Sequence, residues 1–245
     1  MNHKNLFLLT LSFLSRIGKA PMATPQDMSR CMIYFFPVSL ILGLIITLPF
    51  YLGLGQGHPL VQAWLILCLN IYLTRALHWD GWADIWDGLG SNAQGEKFWT
   101  IVKDSHTGAF GVIGLILGLT GQLILNYEIA AANKWAIIIW AIVLGRTAAV
   151  ILAFSGRNLL RPGMGKYFLQ GATPKVLFLN LFLSLLLGLS ILNIEQVVFS
   201  FLILGPGLLR LYKLARKQEG LNGDFLGAAI IWGEISGLFC VLLVS

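Results

Sequence analysis

The 245 residues are 57% hydrophobic and only 11% charged, with a mean hydropathy of +0.78. That composition excludes an ordinary soluble domain and describes a membrane protein from end to end. The formal net charge of +6 comes from basic residues scattered at the ends of apolar runs, where topology and lipid headgroups account for them, so the charge is no argument for nucleic-acid binding.

The first segment, "MNHKNLFLLTLSFLSRIGKAPM", has a positive start and a short apolar stretch, but Arg16 and Lys19 follow it and no small-residue cleavage site does. It reads as a retained helix at the membrane interface, with a short additional span as the alternative, rather than a signal peptide. Runs that meet the requirement of about 20 apolar helical residues then occur near 31–54, 59–78, 109–127, 134–154, 175–194, 196–212 and 225–244. The expected fold is therefore all-α: a polytopic bundle of seven transmembrane helices in a single domain, 1–245. The pair meeting at "LNIEQ" also fits a re-entrant hairpin. Cys31, Cys68 and Cys240 lie far apart, with no C-x-x-C spacing, and read as packing residues. With the N-terminus in the cytoplasm, the polar connections 79–108, 155–174 and 213–224 are all cytoplasmic. Only Lys134 is then left among the outer connections, as the positive-inside rule requires.

The first of these connections holds "ALHWDGWADIWDGL", residues 76–89. On a helix over 78–89, Asp80, Asp84 and Asp87 fall within roughly 60° of arc, while Trp79, Trp82, Trp86 and Leu89 take the opposite side. The expected arrangement is tryptophan toward lipid and carboxylates toward a wet cavity. Carboxylates that close must be protonated, paired or neutralised by a cation, and hard oxygen ligands suit Mg²⁺ or Mn²⁺. Further along, "KFWTIVKDSHTGAFGVIG" places Lys103, Asp104, Ser105 and His106 before glycines that open the next span. Glycine admits close approach of a ligand, and a helix N-terminus favours anions.

"SGRNLLRPGMGKYF" offers Arg157, Arg161 and Lys166 among glycines, suited to phosphate or to anionic headgroups. "RKQEGLNGDFLGAAIIWGEISG" sets Asp224 at the inner mouth of the last span, with Glu234 about 15 Å deeper and Arg146 of the fourth span as its candidate partner. Acids able to hold a divalent cation and bases able to hold phosphate thus meet on one membrane face. That combination favours phosphoryl transfer.

"RALHWDGWADIWDGLGS" resembles the R-x-x-H-x-D-G-x-x-D-x-x-D-G signature of the cobalamin synthase family, the adenosylcobinamide-GDP ribazoletransferases. "VKDSHTGAFGV" is similar to that family's K-D-S-x-x-G-A-x-G element, and "EGLNGDFLGA" to its G-G-x-T-G-D-x-x-G-A element, with Glu219 and Asn222 in place of glycine and threonine. The resemblance implies a Mg²⁺-dependent enzyme of the bacterial cytoplasmic membrane. It would join adenosylcobinamide-GDP to α-ribazole or its 5′-phosphate and release GMP.

On that reading Asp80, Asp84 and Asp87, with Asp104 or Asp224, hold the metal. His78 is the first candidate for general base, although it falls about 160° from Asp80 if the helix includes both. Arg75, Lys103, Ser105, His106, Arg161, Lys166, Asn222 and Asp224 are the candidates for substrate contact. A homo-oligomer, or association with other enzymes of the pathway, is compatible with the sequence. Two rivals are weaker. A CDP-alcohol phosphotransferase-like enzyme lacks its usual D-x-x-D-G-x-x-A-R spacing here. A transporter or cation channel would use Asp224, Glu234 and Arg146 but would leave the acids of the connections unexplained.

Overall fold

The computed structural model describes residues 1–243. Its helices in chain order are α1 (His3–Leu14), α2 (Pro25–Arg30), α3 (Phe35–Tyr51), α4 (Pro59–Thr74), α5 (Leu77–Gly90) and α6 (Glu96–Val102). They are followed by α7 (Ala109–Ala131), α8 (Ala136–Ser155), α9 (Gly165–Gly171), α10 (Pro174–Ile191), α11 (Ile194–Lys217) and α12 (Gly223–Leu238). A 3₁₀ turn joins α2 to α3, and the one β contact among the described residues is a bridge between Leu160 and Leu221. The chain is an integral membrane helical bundle, as its composition predicts.

Six helical segments are long and apolar enough to cross a membrane: the run Pro25–Tyr51, then α7, α8, α10, α11 and the run Gly223–Leu243. The seventh predicted span, 59–78, is shorter than expected. Its helix α4 stops at Thr74, and α5 leaves it at 92°. The pair at "LNIEQ" forms two separate helices, with Asn193 and Gln196 making a reciprocal capping box at the start of α11. At 12 residues, α1 reaches only about 18 Å, too short to cross.

Elsewhere, starts follow local chemistry. Thr24 with Pro25, and Thr173 with Pro174, set helix N-termini by a hydroxyl cap and a preorganised first residue.

Two helices form the centre. α8 is buried on nearly every side from Ile137 to Ala153, and α12 packs along it through small residues. A Cβ on Gly233 would stand 2.7 Å from the Gly145 Cα, and one on Gly237 would stand 2.6 Å from the Ala141 Cα. Backbones that close are how membrane helices gain packing energy where lipid offers no hydrophobic driving force. The outer helices turn Ile116, Leu117, Phe178, Phe182, Leu186 and Leu202 outward, as a lipid-facing surface requires.

Candidate functional site

The site begins at the break between α4 and α5. Arg75 and Ala76 both take left-handed backbone conformations, φ 57° and 55°, which cost L residues roughly 1–2 kcal/mol each. Tertiary bonds hold them there. The Arg75 Nη2 donates to the Ser12 and Phe13 carbonyls at 3.0 and 2.8 Å. The Arg16 backbone N–H donates to the Leu73 carbonyl at 2.7 Å and its Nε to the Tyr72 carbonyl at 2.7 Å. Arg75, a candidate for substrate contact, thus serves the carbonyls at the C-terminal end of α1 and fixes that helix to the break.

From the break, α5 runs between α7 and α12. Its tryptophans do not face lipid, which corrects the sequence expectation. Trp79 and Trp82 are buried, Trp79 lies on Gly118 and Trp86 on Gly114, and the Trp82 Nε1 donates to the Gly114 carbonyl at 2.8 Å. Gly114 and Gly118 of α7 leave room that the indole rings fill. On the side toward α12, a Cβ at Gly81 would stand 2.8 Å from the Asp224 Cα, so only glycine lets α5 meet the first turn of α12.

This approach brings together acids that are far apart in sequence. Asp80 and Asp224 line one cavity of about 260 Å³ together with His78 and Asn222. Asp84 sits beside them, half-buried and within electrostatic reach of Asp224, Asp80 and Asp87. His78 lies inside the helix and lines the same cavity as Asp80. Its Nε2 is buried without a hydrogen-bond partner. Asn222 caps α12 by accepting from the Phe225 N–H at 3.4 Å, and its Nδ2 donates to Asp224 at 2.5 Å.

Asp87 is differently placed. Its carboxylate accepts from the Gly108 N–H at 2.8 Å and the Gly111 N–H at 2.7 Å, capping the start of α7 with a full negative charge. A Cβ at Gly108 or Gly111 would come within 2.5 or 2.3 Å of a carboxylate oxygen. The glycines that open this span therefore admit an anion, as their pattern suggests, and the anion is the chain's own Asp87.

The loop before α7 stands apart. Asp104 accepts from the His106 N–H at 3.0 Å and pairs with its Nδ1 at 2.8 Å. These bonds, the backbone one first, hold the Asp104 carboxyl below the usual carboxylate range. Lys103 and Ser105 are exposed on the same loop, as is Lys166 on α9. Arg161 forks onto Glu96 with contacts of 3.0 to 3.2 Å and lies 4.5 Å over the Trp99 ring.

Deeper in the bundle Arg146 and Glu234 pair with each other, as their positions in neighbouring spans suggest. The sequence reading missed that Asn70 and Gln122 also donate to Glu234, at 2.9 and 3.3 Å. Their signal was present as polar residues inside apolar runs.

Among the described residues no three acidic, histidine or cysteine side chains close into a ready-made metal cage. Mg²⁺ does not need one, since it commonly takes one or two carboxylates and completes its shell with water and substrate phosphate. Asp80, Asp84 and Asp224 supply an open, oxygen-only set of that kind. Like charges so near one another also need a neutralising partner. The donor set fits Mg²⁺ or Mn²⁺.

The sequence profile of the cobalamin-5-phosphate synthase family matches residues 6–242. A protein of Nitratidesulfovibrio vulgaris (strain DSM 19637 / Miyazaki F) named adenosylcobinamide-GDP ribazoletransferase is 40% identical over 96% of this chain and 94% of its own length. Proteins of the same name from Clostridium botulinum (strain 657 / Type Ba4) and Brevibacillus brevis are 32% and 31% identical, covering 98% and 92% of this chain and 98% and 93% of their own lengths. No solved structure matches the chain. With a family profile spanning almost every residue and relatives aligned end to end, the chain belongs to the cobalamin-5-phosphate synthase family.

Proposed function

We propose that this chain catalyses the reaction its relatives are named for. The phosphocobinamide group of adenosylcobinamide-GDP passes to α-ribazole or its 5′-phosphate, and GMP leaves. The observation that carries this reading is the shared cavity: His78, Asp80, Asn222 and Asp224 converge from opposite ends of the chain, inside a family whose relatives bear that name.

Asp80, Asp84 and Asp224 are the residues that would hold Mg²⁺, whose role is to offset charge on the diphosphate and on the departing GMP. His78, which lines the cavity, would accept the proton of the ribazole hydroxyl as the new P–O bond forms and the bond to GMP breaks. Asp87 keeps α5 and the start of α7 in register. Lys103 and Lys166 are free to meet phosphate, and Arg161 would do so on leaving Glu96. Asp104, Ser105 and His106 would join only if their exposed loop folds over bound substrate.

The distribution of lysine and arginine supports a reading in which these loops face the cytoplasmic side of the bacterial inner membrane. The partners are the two nucleotide substrates and the bilayer.

The test is GMP release from adenosylcobinamide-GDP by purified protein in lipid. Release that requires both α-ribazole 5′-phosphate and Mg²⁺, with a corrinoid product of the expected mass, is the expected result. No release from a folded sample would reject the reading.

A further inference from the structure

The cavity that touches the acids also has an apolar lining. Phe13 and Leu14 of α1, Phe35 of α3 and Phe168 of α9 belong to it. The Phe13 and Phe168 rings lie 4.9 Å apart between centroids, and Phe35 and Phe168 lie 5.9 Å apart. Apart from His78, Asp80, Asn222 and Asp224, every lining residue is apolar or glycine. One space therefore touches both a cluster of packed aromatic rings and the acids, with His78 among its lining residues.

Size narrows the occupant. At about 260 Å³ the cavity falls below the roughly 300–1,000 Å³ of sites that enclose a drug-sized ligand. A corrinoid cannot enter it, whereas a flat ring system with its sugar at the mouth can. Guanine is a poor fit as well, because its donors and acceptors would be buried against side chains that cannot answer them.

We propose that this cavity is the acceptor subsite, taking a nucleoside by its apolar aromatic base and presenting the sugar to His78, Asp80 and Asp224. The proposal rests on the transferase reading and adds to it a location and a selectivity. The apolar lining recognises the base by shape and apolarity rather than by a hydrogen-bond pattern, so the enzyme disfavours bases that carry exocyclic amines. It also gives α1 a function: the helix pinned by Arg75 is a wall of the subsite.

The experiment compares steady-state kinetics of the full-length protein in lipid with α-ribazole and with the same sugar carrying adenine. Wild type is expected to show a KM at least tenfold lower for α-ribazole, since buried polar atoms left unpaired discriminate strongly. Phe168→Leu and Phe13→Leu are expected to raise the α-ribazole KM about tenfold and to leave the KM for adenosylcobinamide-GDP within twofold. Met164→Trp, at the exposed rim of the cavity, narrows the opening without touching the buried rings and is expected to act in the same direction should the phenylalanine variants fail to fold.

If wild type turns over but treats both bases alike, or if the variants change only the donor KM, the subsite assignment is overturned while the transferase reading stands. If folded wild type forms no product at all, both fall. Direct binding of α-ribazole, displaced by added phospholipid, would identify the cavity as a lipid site and also overturn the proposal.

Discussion

Two groups of buried or half-buried acid lie along α12, about three helical turns apart, and the protein treats them in opposite ways. Around Glu234 both carboxylate oxygens are answered, by Arg146 on one and by Asn70 and Gln122 on the other, while the Arg146 Nε and Nη2 are buried without partners. Around Asp224 the nearest groups are further acids, Asp80 and Asp84, with only Asn222 donating. The inner group is closed and fixes how α4, α7, α8 and α12 meet. The outer group is left open on a cavity, with its charge to be met by something that is not protein. Acid in a membrane is costly in both places, and the difference lies in who supplies the compensation.

This contrast is breakable. The largest effect is expected from Glu234→Ala, which leaves the Arg146 cation buried and alone. Breaking such a pair costs about 3–5 kcal/mol, visible as a collapse of the unfolding temperature in detergent, and the double variant Glu234→Leu with Arg146→Met should recover much of it. An undiminished unfolding temperature for Glu234→Ala would remove the structural role.

At the open group the sign reverses. Asp84→Asn or Asp224→Asn relieves repulsion, so the unfolding temperature should hold or rise. Turnover should fall at least about 100-fold, in line with the several kcal/mol a bound metal supplies. Full activity at saturating Mg²⁺ would sink the metal assignment.

Asp87 should fall between the two. Asp87→Asn keeps one acceptor but loses the charge at the start of α7, for about 1–2 kcal/mol read as an intermediate loss of stability. The smallest stability effect belongs to Asp104→Asn on the exposed loop, where the unfolding temperature should not move. Any loss of activity there would mean that the loop closes over substrate.

The spans were legible because a bilayer imposes length and apolarity on each one. The break at Arg75–Ala76 was not legible, since nothing local favours left-handed backbone at either residue and the bonds that hold it come from α1. The tryptophans misled for a related reason. An apolar aromatic at a membrane edge reads as lipid-facing, and only Gly114 and Gly118 in "FGVIGLILG" reveal a groove that fits them. Spacing placed Asp80, Asp84 and Asp87 on one helical face. It could not show that the backbone N–H groups of Gly108 and Gly111 would engage Asp87, because that depends on how the α6–α7 loop folds back.

The contact between Gly81 and the first turn of α12 has a consequence for synthesis. α5 emerges early from the ribosome, while Asn222, Gly223 and Asp224 belong to the last span to be inserted. Domains form in the order their chain appears, and here the earlier helices wait for the final one. Until α12 is threaded beside α8, Asp80 and Asp84 have no Asp224 beside them and the acceptor cavity has no far wall. A nascent chain stalled before residue 222 would carry most of its membrane mass and none of its chemistry.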